Sequence, residues 1–307
     1  LNTAIIEKLI KVTDAGNVFT SEDMSRHTSF KVGGCADVFV TAKNTEEAAD
    51  IVRLLLAENI PYTVIGNGSN LLVTDNGYRG CIVCMGRGCD DITVDGTMIT
   101  AGAGALLSKV ANAAYENSLT GLEFASGIPG SVGGAIVMNA GAYGGEMKDV
   151  TVSVTMLDAD SGEVVTLPAD RMRFGYRTSI VKEHAYIVLE AKFNLTAGNR
   201  DEIKSCMDDL AQKRRSKQPL EFPSAGSTFK RPEGHFAGKL IEDAGLKGFS
   251  VGGAQVSEKH CGFVVNKGGA TAGDVLELID TVKQKVHEQS GVWLEPEVVI
   301  LGEVTKK

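Results

Sequence analysis

Two glycine-rich stretches hold the most legible chemistry in this 307-residue sequence. The first is Gly66-Asn67-Gly68-Ser69-Asn70-Leu71. It offers several backbone N–H groups and small polar side chains, a nest suited to a diphosphate. A Rossmann-type site would need G-x-G-x-x-G opening a helix. Here the sixth position is Leu71, and Leu71-Leu72-Val73 reads as a strand, so that assignment fails and a plain turn is the structural alternative. The second stretch is Ser126-Gly127-Ile128-Pro129-Gly130-Ser131-Val132-Gly133-Gly134-Ala135. It runs into the apolar helical start Ala135-Ile136-Val137-Met138, and a helix start carries unpaired N–H groups and partial positive charge. Asn139-Ala140-Gly141-Ala142-Tyr143-Gly144 follows, where Asn139 can bond a ring edge and Tyr143 can stack on a ligand or lie over it. Tight helix–sheet packing is the structural alternative for this segment.

Two glycine loops from different units, facing one long ligand, suit FAD better than a mononucleotide. The elements around them are those of an α/β unit. Ala4–Val12 has helical spacing, and Asp37–Thr41 reads as a strand. Thr45 is the expected N-cap of a helix through Ile51, Leu54, Leu55 and Ile60, ended by Pro61. Tyr62–Ile65 is a buried-strand run leading straight into Gly66. Strands are expected across 81–103, with a tight turn at Asp95-Gly96, then a helix from Ala105 to Leu119 ended by Thr120-Gly121. A hairpin follows over Val150–Leu167 around Asp160-Ser161-Gly162, and then a strand over Tyr186–Leu195. Asp201–Lys217 is a polar helix. Beyond it come a helix at Ala237–Ala244, a strand at Gly262–Asn266, and a long helix from Thr271 whose Thr271-Ala272-Gly273-Asp274 resembles a capping box. A strand over Val292–Leu301 closes the chain.

Composition bounds the partners. Net charge is −8, with 43% hydrophobic and 23% charged residues, which argues for a packed globular protein and against a general nucleic-acid binder. No apolar run reaches the length of a membrane span. The start, Leu1-Asn2-Thr3-Ala4-Ile5-Ile6-Glu7, lacks the basic and apolar segments of a signal peptide, so a cytoplasmic location is expected. Six cysteines in a chain this long fit reduced thiols better than a disulfide framework. Cys81, Cys84 and Cys89 have metal-like spacing, but no fourth ligand follows nearby and Cys81-Ile82-Val83-Cys84-Met85 reads as a buried strand, so no metal is expected.

The pairing of Gly66–Asn70 with Ser126–Tyr143 resembles the FAD-binding segments of vanillyl-alcohol-oxidase-type flavoproteins. Within that group the chain resembles the UDP-N-acetylenolpyruvoylglucosamine reductase family over nearly its whole length. The likeness rests on His27-Thr28-Ser29-Phe30-Lys31-Val32-Gly33-Gly34, both glycine loops, Phe174-Gly175-Tyr176-Arg177-Thr178-Ser179, Ala225-Gly226-Ser227-Thr228-Phe229-Lys230 and Leu294-Glu295-Pro296-Glu297-Val298. It implies an α+β chain: a two-part FAD-binding module (1–88 and 89–200) and a C-terminal α/β substrate-binding domain (201–307), the last strand returning to the module. It also implies a monomer, noncovalent FAD, NADPH as hydride donor, and UDP-N-acetylglucosamine enolpyruvate as substrate. The cofactor residues implied are Thr28, Gly66, Asn67, Gly68, Ser69, Asn70, Leu71, Gly127, Ile128, Pro129, Gly130, Gly133, Asn139, Gly141, Ala142 and Tyr143.

Three reacting residues follow from the same resemblance. Hydride adds to the terminal methylene of the enol ether, and negative charge builds on the adjacent carbon and its carboxylate. The planar, permanently charged guanidinium of Arg177 suits that carboxylate. Ser227, in the turn Gly226-Ser227-Thr228, is implied as proton donor, a role that needs charged neighbours because a hydroxyl is a weak acid. Glu297 is implied to stabilise the intermediate near Arg177; Glu295 would share its face on a regular strand. Lys217, Lys230, Arg231, Lys259 and His260 are the cations expected to meet the substrate diphosphate, although some family members carry asparagine at the position of Arg231. Between Arg177 and Ser227 the chain lacks the extra loop whose tyrosine covers the substrate in the longer family subtype, so it resembles the shorter one. With no Rossmann unit present, the nicotinamide is expected to alternate with the sugar in one cavity. Two other readings fit the cofactor loops alone: a flavin oxidase or dehydrogenase of an alcohol or hydroxy acid, and a non-catalytic nucleotide-sugar- or flavin-binding protein.

Overall fold

The structure, a computed structural model, describes residues 2–86 and 88–303. The chain divides into two units whose segments interleave. One is built from Leu1–Thr20, Val38–Asn67 and Gly80–Arg214, the other from Ser21–Asp37, Gly68–Arg79 and Arg215–Lys307. Each has its own apolar core. Ile51, Leu55, Val83, Ile99, Leu107, Ile136, Met156 and Phe193 lie in the first; Phe30, Leu72, Val264, Leu278 and Val282 lie in the second.

In the first unit, α1 (Thr3–Val12) is capped by Asn2. Helix α2 (Thr45–Ala57) is capped by Asn44, whose side chain accepts from the Glu47 N–H at 2.7 Å. The expected cap, Thr45, is instead the first helical residue. The helix stops at Ala57, ahead of Pro61, because Asn59 turns left-handed (φ 53°) and the Ile60 N–H closes on the Leu55 carbonyl at 2.9 Å, the geometry of a Schellman motif. The strand Tyr62–Ile65 then pairs in parallel with Tyr78–Cys84, Ile65 opposite Cys84. Both belong to a four-stranded sheet ordered Val18–Asp23, Cys35–Thr41, Tyr78–Cys84, Tyr62–Ile65.

A five-stranded antiparallel sheet makes the rest of this unit, in the order Val164–Pro168, Thr151–Asp158, Tyr186–Asn194, Met98–Gly102, Ile92–Asp95. Its hairpin at Asp95–Met98 turns through Gly96 at φ 57°, as the Asp95-Gly96 pair predicts. Helix α3 (Leu107–Glu116) is shorter than the expected Ala105–Leu119. Ser118 goes left-handed (φ 55°), and Leu119-Thr120 pairs with Thr196-Ala197 instead. Helix α4 (Val132–Met138) packs on the sheet and ends at Asn139, itself left-handed at φ 41°. Helix α5 (Arg200–Lys217) follows.

The second unit holds a three-stranded antiparallel sheet of Ser250–Val251, Ala254–Val256 and Val264–Asn266, with α6 (Ala237–Asp243) and α7 (Ala272–Ser290). Thr271 and Asp274 form the expected reciprocal cap of α7. Val275, Leu278, Ile279, Val282 and Val286 are buried from that helix, the spacing of one amphipathic face. Only Val299–Leu301 of the expected strand over Val292–Leu301 is regular, pairing in parallel with Leu71–Val73. Pro296 has no N–H to offer a ladder, and it makes only an isolated bridge to Phe229.

Candidate active site

In the first unit the two glycine-rich stretches touch. Gly66 ends the strand Tyr62–Ile65, and a Cβ there would lie 2.0 Å from the Ser131 hydroxyl oxygen. The Asn67 amide donates to the Pro129 carbonyl at 2.5 Å. The Ser131 hydroxyl is buried and has no hydrogen-bond partner among the described residues. Such a group is costly unless something pairs with it, and an oxygen of a ligand lying on this loop would do so. Gly127 is exposed and faces Arg214, whose Cδ would be 3.2 Å from an added Cβ. Arg214 is half-buried; burial lowers its pKa, yet a guanidinium stays charged at neutral pH.

The helix-start reading of this stretch is revised. The Val132 and Gly133 N–H groups donate to the Ala105 and Ala103 carbonyls, each at 2.8 Å, so they are not free for an anion. An added Cβ on Gly133 would lie 3.0 Å from that of Ala103, and one on Gly141 2.7 Å from Glu146 Cγ; both glycines serve close packing. Ile128 is half-buried against the core, Gly130 accepts from the Leu107 N–H at 3.0 Å, and Ala142 sits in a two-stranded turn with Gly145. Tyr143 is 46% exposed at φ 54°, able to lie over a ligand.

Asn139 has partners other than a ligand ring. It is buried, and its Nδ2 donates to Glu146 Oε2 and to the Gly175 carbonyl, both at 3.0 Å. Its Oδ1 accepts from the Lys148 N–H at 2.9 Å. Both amide hydrogens are thus engaged within the protein. Gly175 begins the turn that presents Arg177, closed by the Gly175–Thr178 pair. Arg177 is left-handed at φ 56°, a conformation costing a non-glycine residue about 1–3 kcal/mol. Its carbonyl accepts from Lys182 Nζ at 3.2 Å, and its guanidinium lies 5.1 Å from the Tyr176 ring centre. The Lys148 ammonium, then the Asn139 amide and more weakly the Arg177 charge, hold the Glu146 carboxyl below its usual pKa against the opposing effect of burial.

Ser227 and Glu297 belong to the second unit, Arg177 to the first. Ser227 is exposed between Gly226 (φ 75°) and buried Thr228. Thr228 Oγ1 accepts from the Val264 N–H at 2.9 Å. Its N–H donates to Gly262 and its carbonyl accepts from Glu297, both at 2.8 Å. The Lys230 N–H donates to the Glu295 carbonyl at 2.8 Å, so residues 228–230 lie against 295–297. Asn70 joins them through its amide, which donates to the Glu297 carbonyl at 3.1 Å. Gly68 (φ 62°) accepts from the Ser29 N–H at 3.2 Å, and an added Cβ would lie 1.9 Å from the His27 carbonyl oxygen. The buried Thr28 hydroxyl donates to Val32 at 3.3 Å. Among the described residues the Ser69 side chain makes no hydrogen bond, which leaves it available to a ligand. Leu71, half-buried, opens the strand beside Val299.

The candidate phosphate-binding cations differ in their surroundings. Lys217 is exposed at the end of α5. Lys259 Nζ donates to the Arg215 carbonyl at 2.8 Å and stands 3.7 Å from Glu221, at the rim of a cavity of about 260 Å³ also lined by Phe222, Gln255, Ser257 and Lys267. Lys230 is paired with Glu295. Arg231 stacks 4.1 Å over Phe236. His260 Nδ1 accepts from the Gly262 N–H at 3.1 Å, and burial lowers its pKa. Burial pushes the thiols of Cys81, Cys84 and Cys89 up to about 12, 11 and 12, which makes them inert packing groups. The sequence reading passed over Glu146 and Thr228, because what ties them to Arg177 and Glu297 is contact between distant segments.

Residues 36–168 match an FAD binding domain, and residues 218–301 match the C-terminal domain of UDP-N-acetylenolpyruvoylglucosamine reductase. The fold also overlaps alkyldihydroxyacetonephosphate synthase over 64% of this chain and 41% of that one, at a TM-score of 0.50 and 15% identity, which shows the fold alone. Fold and FAD binding domain together define an α+β flavoprotein of the vanillyl-alcohol-oxidase type. A protein of Agathobacter rectalis named UDP-N-acetylenolpyruvoylglucosamine reductase is 54% identical, covering 99% of this chain and 100% of its own. One from Caldanaerobacter subterraneus subsp. tengcongensis with the same name is 52% identical over 97% and 98%. The crystal structure of UDP-N-acetylenolpyruvylglucosamine reductase from Thermus caldophilus superposes at a TM-score of 0.78 with 34% identity, covering 93% of this chain and 98% of that one. The chain belongs to the UDP-N-acetylenolpyruvoylglucosamine reductase family.

Proposed function

We propose that this chain catalyses the NADPH-dependent reduction of the enolpyruvyl double bond of UDP-N-acetylglucosamine enolpyruvate, giving UDP-N-acetylmuramate for peptidoglycan precursor synthesis. The observation that carries the reading is the agreement of both parts of the chain with relatives of that name, aligned from end to end at 54% and 52% identity. The buried Ser131 hydroxyl, without a hydrogen-bond partner among the described residues, fits an oxygen of a flavin dinucleotide lying on this loop. Gly66, Asn67, Ser69, Gly127, Ser131 and Tyr143 would hold it noncovalently. When bound, FAD supplies the two-electron relay that takes hydride from NADPH and gives it to the methylene carbon of the substrate.

The protein's own groups do the rest. Arg177 binds the enolpyruvyl carboxylate with two parallel N–H bonds and opposes the negative charge that builds there, commonly the largest catalytic contribution. The Ser227 hydroxyl gives its proton to the carbon bearing that carboxylate, completing the addition of one hydride and one proton across the double bond. Glu297 supports this charge distribution from the segment bonded to Thr228. Lys217 and Lys259 meet the diphosphate, with Lys230 and Arg231 flanking them. NADPH and sugar nucleotide take turns, so the kinetics are double-displacement. Among the described residues no helix is long and apolar enough to cross a membrane, and the enzyme acts as a cytoplasmic monomer. Incubation of purified protein with NADPH and UDP-N-acetylglucosamine enolpyruvate tests the reading. A product two mass units heavier, formed mole for mole with NADP⁺, is the expected result; NADPH consumption without that product would overturn it.

A further inference from the structure

We propose that Asn139 is a positioning residue for the reduction, acting on Arg177 through the Gly175 carbonyl and the Glu146 carboxylate; this rests on the role given to Arg177 above. The geometry assigns every hydrogen of its amide. One goes to Gly175, the residue that opens the Arg177 turn, and one to Glu146, each at 3.0 Å. The acceptor oxygen is fixed by the Lys148 N–H at 2.9 Å. Asn139 is 1% exposed, and no part of its amide is left for solvent to pull away.

The turn it holds is strained. Arg177 is left-handed at φ 56°, which an arginine does not adopt unless its surroundings impose it. The surroundings do so at several points. Gly175 and Thr178 close the turn. The Ser179 hydroxyl donates to the Val137 carbonyl on α4 at 3.0 Å, and Lys182 Nζ donates to the Arg177 carbonyl at 3.2 Å. Asn139, the C-cap of that same helix, joins the turn to Glu146. That carboxylate is also bonded to Lys148 at 2.7 Å and feels the Arg177 charge.

Asn139→Gly keeps the left-handed cap, since glycine adopts it freely, and removes only the amide. The expected result with FAD-loaded protein is re-oxidation of reduced flavin by UDP-N-acetylglucosamine enolpyruvate slowed at least tenfold, with flavin reduction by NADPH changed less than twofold. Amide hydrogen exchange at Arg177–Ser179 should rise. In the Arg177→Ala background, adding Asn139→Gly should slow re-oxidation no further, because the two act as a unit. Glu146→Gln, which keeps the shape and removes the charge, should slow the same half-reaction if Asn139→Gly fails to fold. Equal slowing of both halves, or additive effects with Arg177→Ala, would overturn the role of Asn139. An Arg177→Ala variant that re-oxidises normally would overturn the role of Arg177 itself.

Discussion

The side-chain amide of Asn70 donates to the main-chain carbonyl of Glu297 at 3.1 Å, and the Val299 N–H returns a bond to the Asn70 carbonyl at 2.9 Å. A residue of the first glycine-rich stretch and a residue of the last strand region are thus fixed to each other across most of the chain's length. Because the Glu297 N–H also donates to Thr228, the backbone of the proposed acid–base segment is specified from both sides. Asn70, Thr228 and Glu297 are parts of one hydrogen-bonded array in the second unit.

The glycines of that first stretch should be intolerant of even one methyl group. Gly66→Ala places a carbon 2.0 Å from the Ser131 oxygen, and Gly68→Ala one 1.9 Å from the His27 carbonyl at a left-handed φ of 62°. Neither fits without moving backbone or the Ser131 side chain. Each variant should retain less than a tenth of the wild-type flavin content after dialysis, read as the ratio of 450 to 280 nm absorbance. Gly96→Ala, at a similar φ but with nothing near its added carbon, should keep its flavin.

Thr228 organises the Ser227 segment more than its type suggests. Thr228→Val keeps shape and removes the acceptor of the buried Val264 N–H, so the variant should lose about 1–3 kcal/mol of stability. Urea denaturation at constant m-value measures this. Re-oxidation by substrate should slow more than reduction by NADPH, since the same residue accepts from Glu297.

His260 gives a pH signature. Burial holds its folded pKa below the unfolded value near 6.5, so the unfolded chain binds more protons over that window. Its contribution to stability is full above about pH 6.5 and falls as pH drops toward the folded pKa. The melting temperature of wild type should decline between pH 7.5 and 5.5. His260→Gln, which cannot protonate, should show a shallower decline.

Much of this arrangement was legible in the residues. The strand Tyr62–Ile65, the turn at Asp95-Gly96 and the Thr271–Asp274 cap each depend on neighbours a few positions apart, and each appears as its local pattern predicts. What depended on distant contacts was not legible. Gly133 resembles a ligand-binding glycine until Ala103 is seen beside it, and Asn139 resembles a ring-edge ligand until Gly175 and Glu146 take its hydrogens. The interleaving of the two units is likewise invisible in sequence, since the first glycine-rich stretch changes unit between Asn67 and Gly68 without any break in composition.

Anaerobic stopped-flow absorbance on wild type and Ser227→Ala tests the central claim most directly. In wild type, NADPH should bleach the 450 nm flavin band and UDP-N-acetylglucosamine enolpyruvate should restore it. In Ser227→Ala the bleaching should proceed within about twofold of wild type, while restoration by substrate falls at least a thousandfold, within the range general-acid loss can reach. Equal slowing of both phases, or a wild-type band that the enolpyruvyl sugar nucleotide fails to restore, would contradict the account.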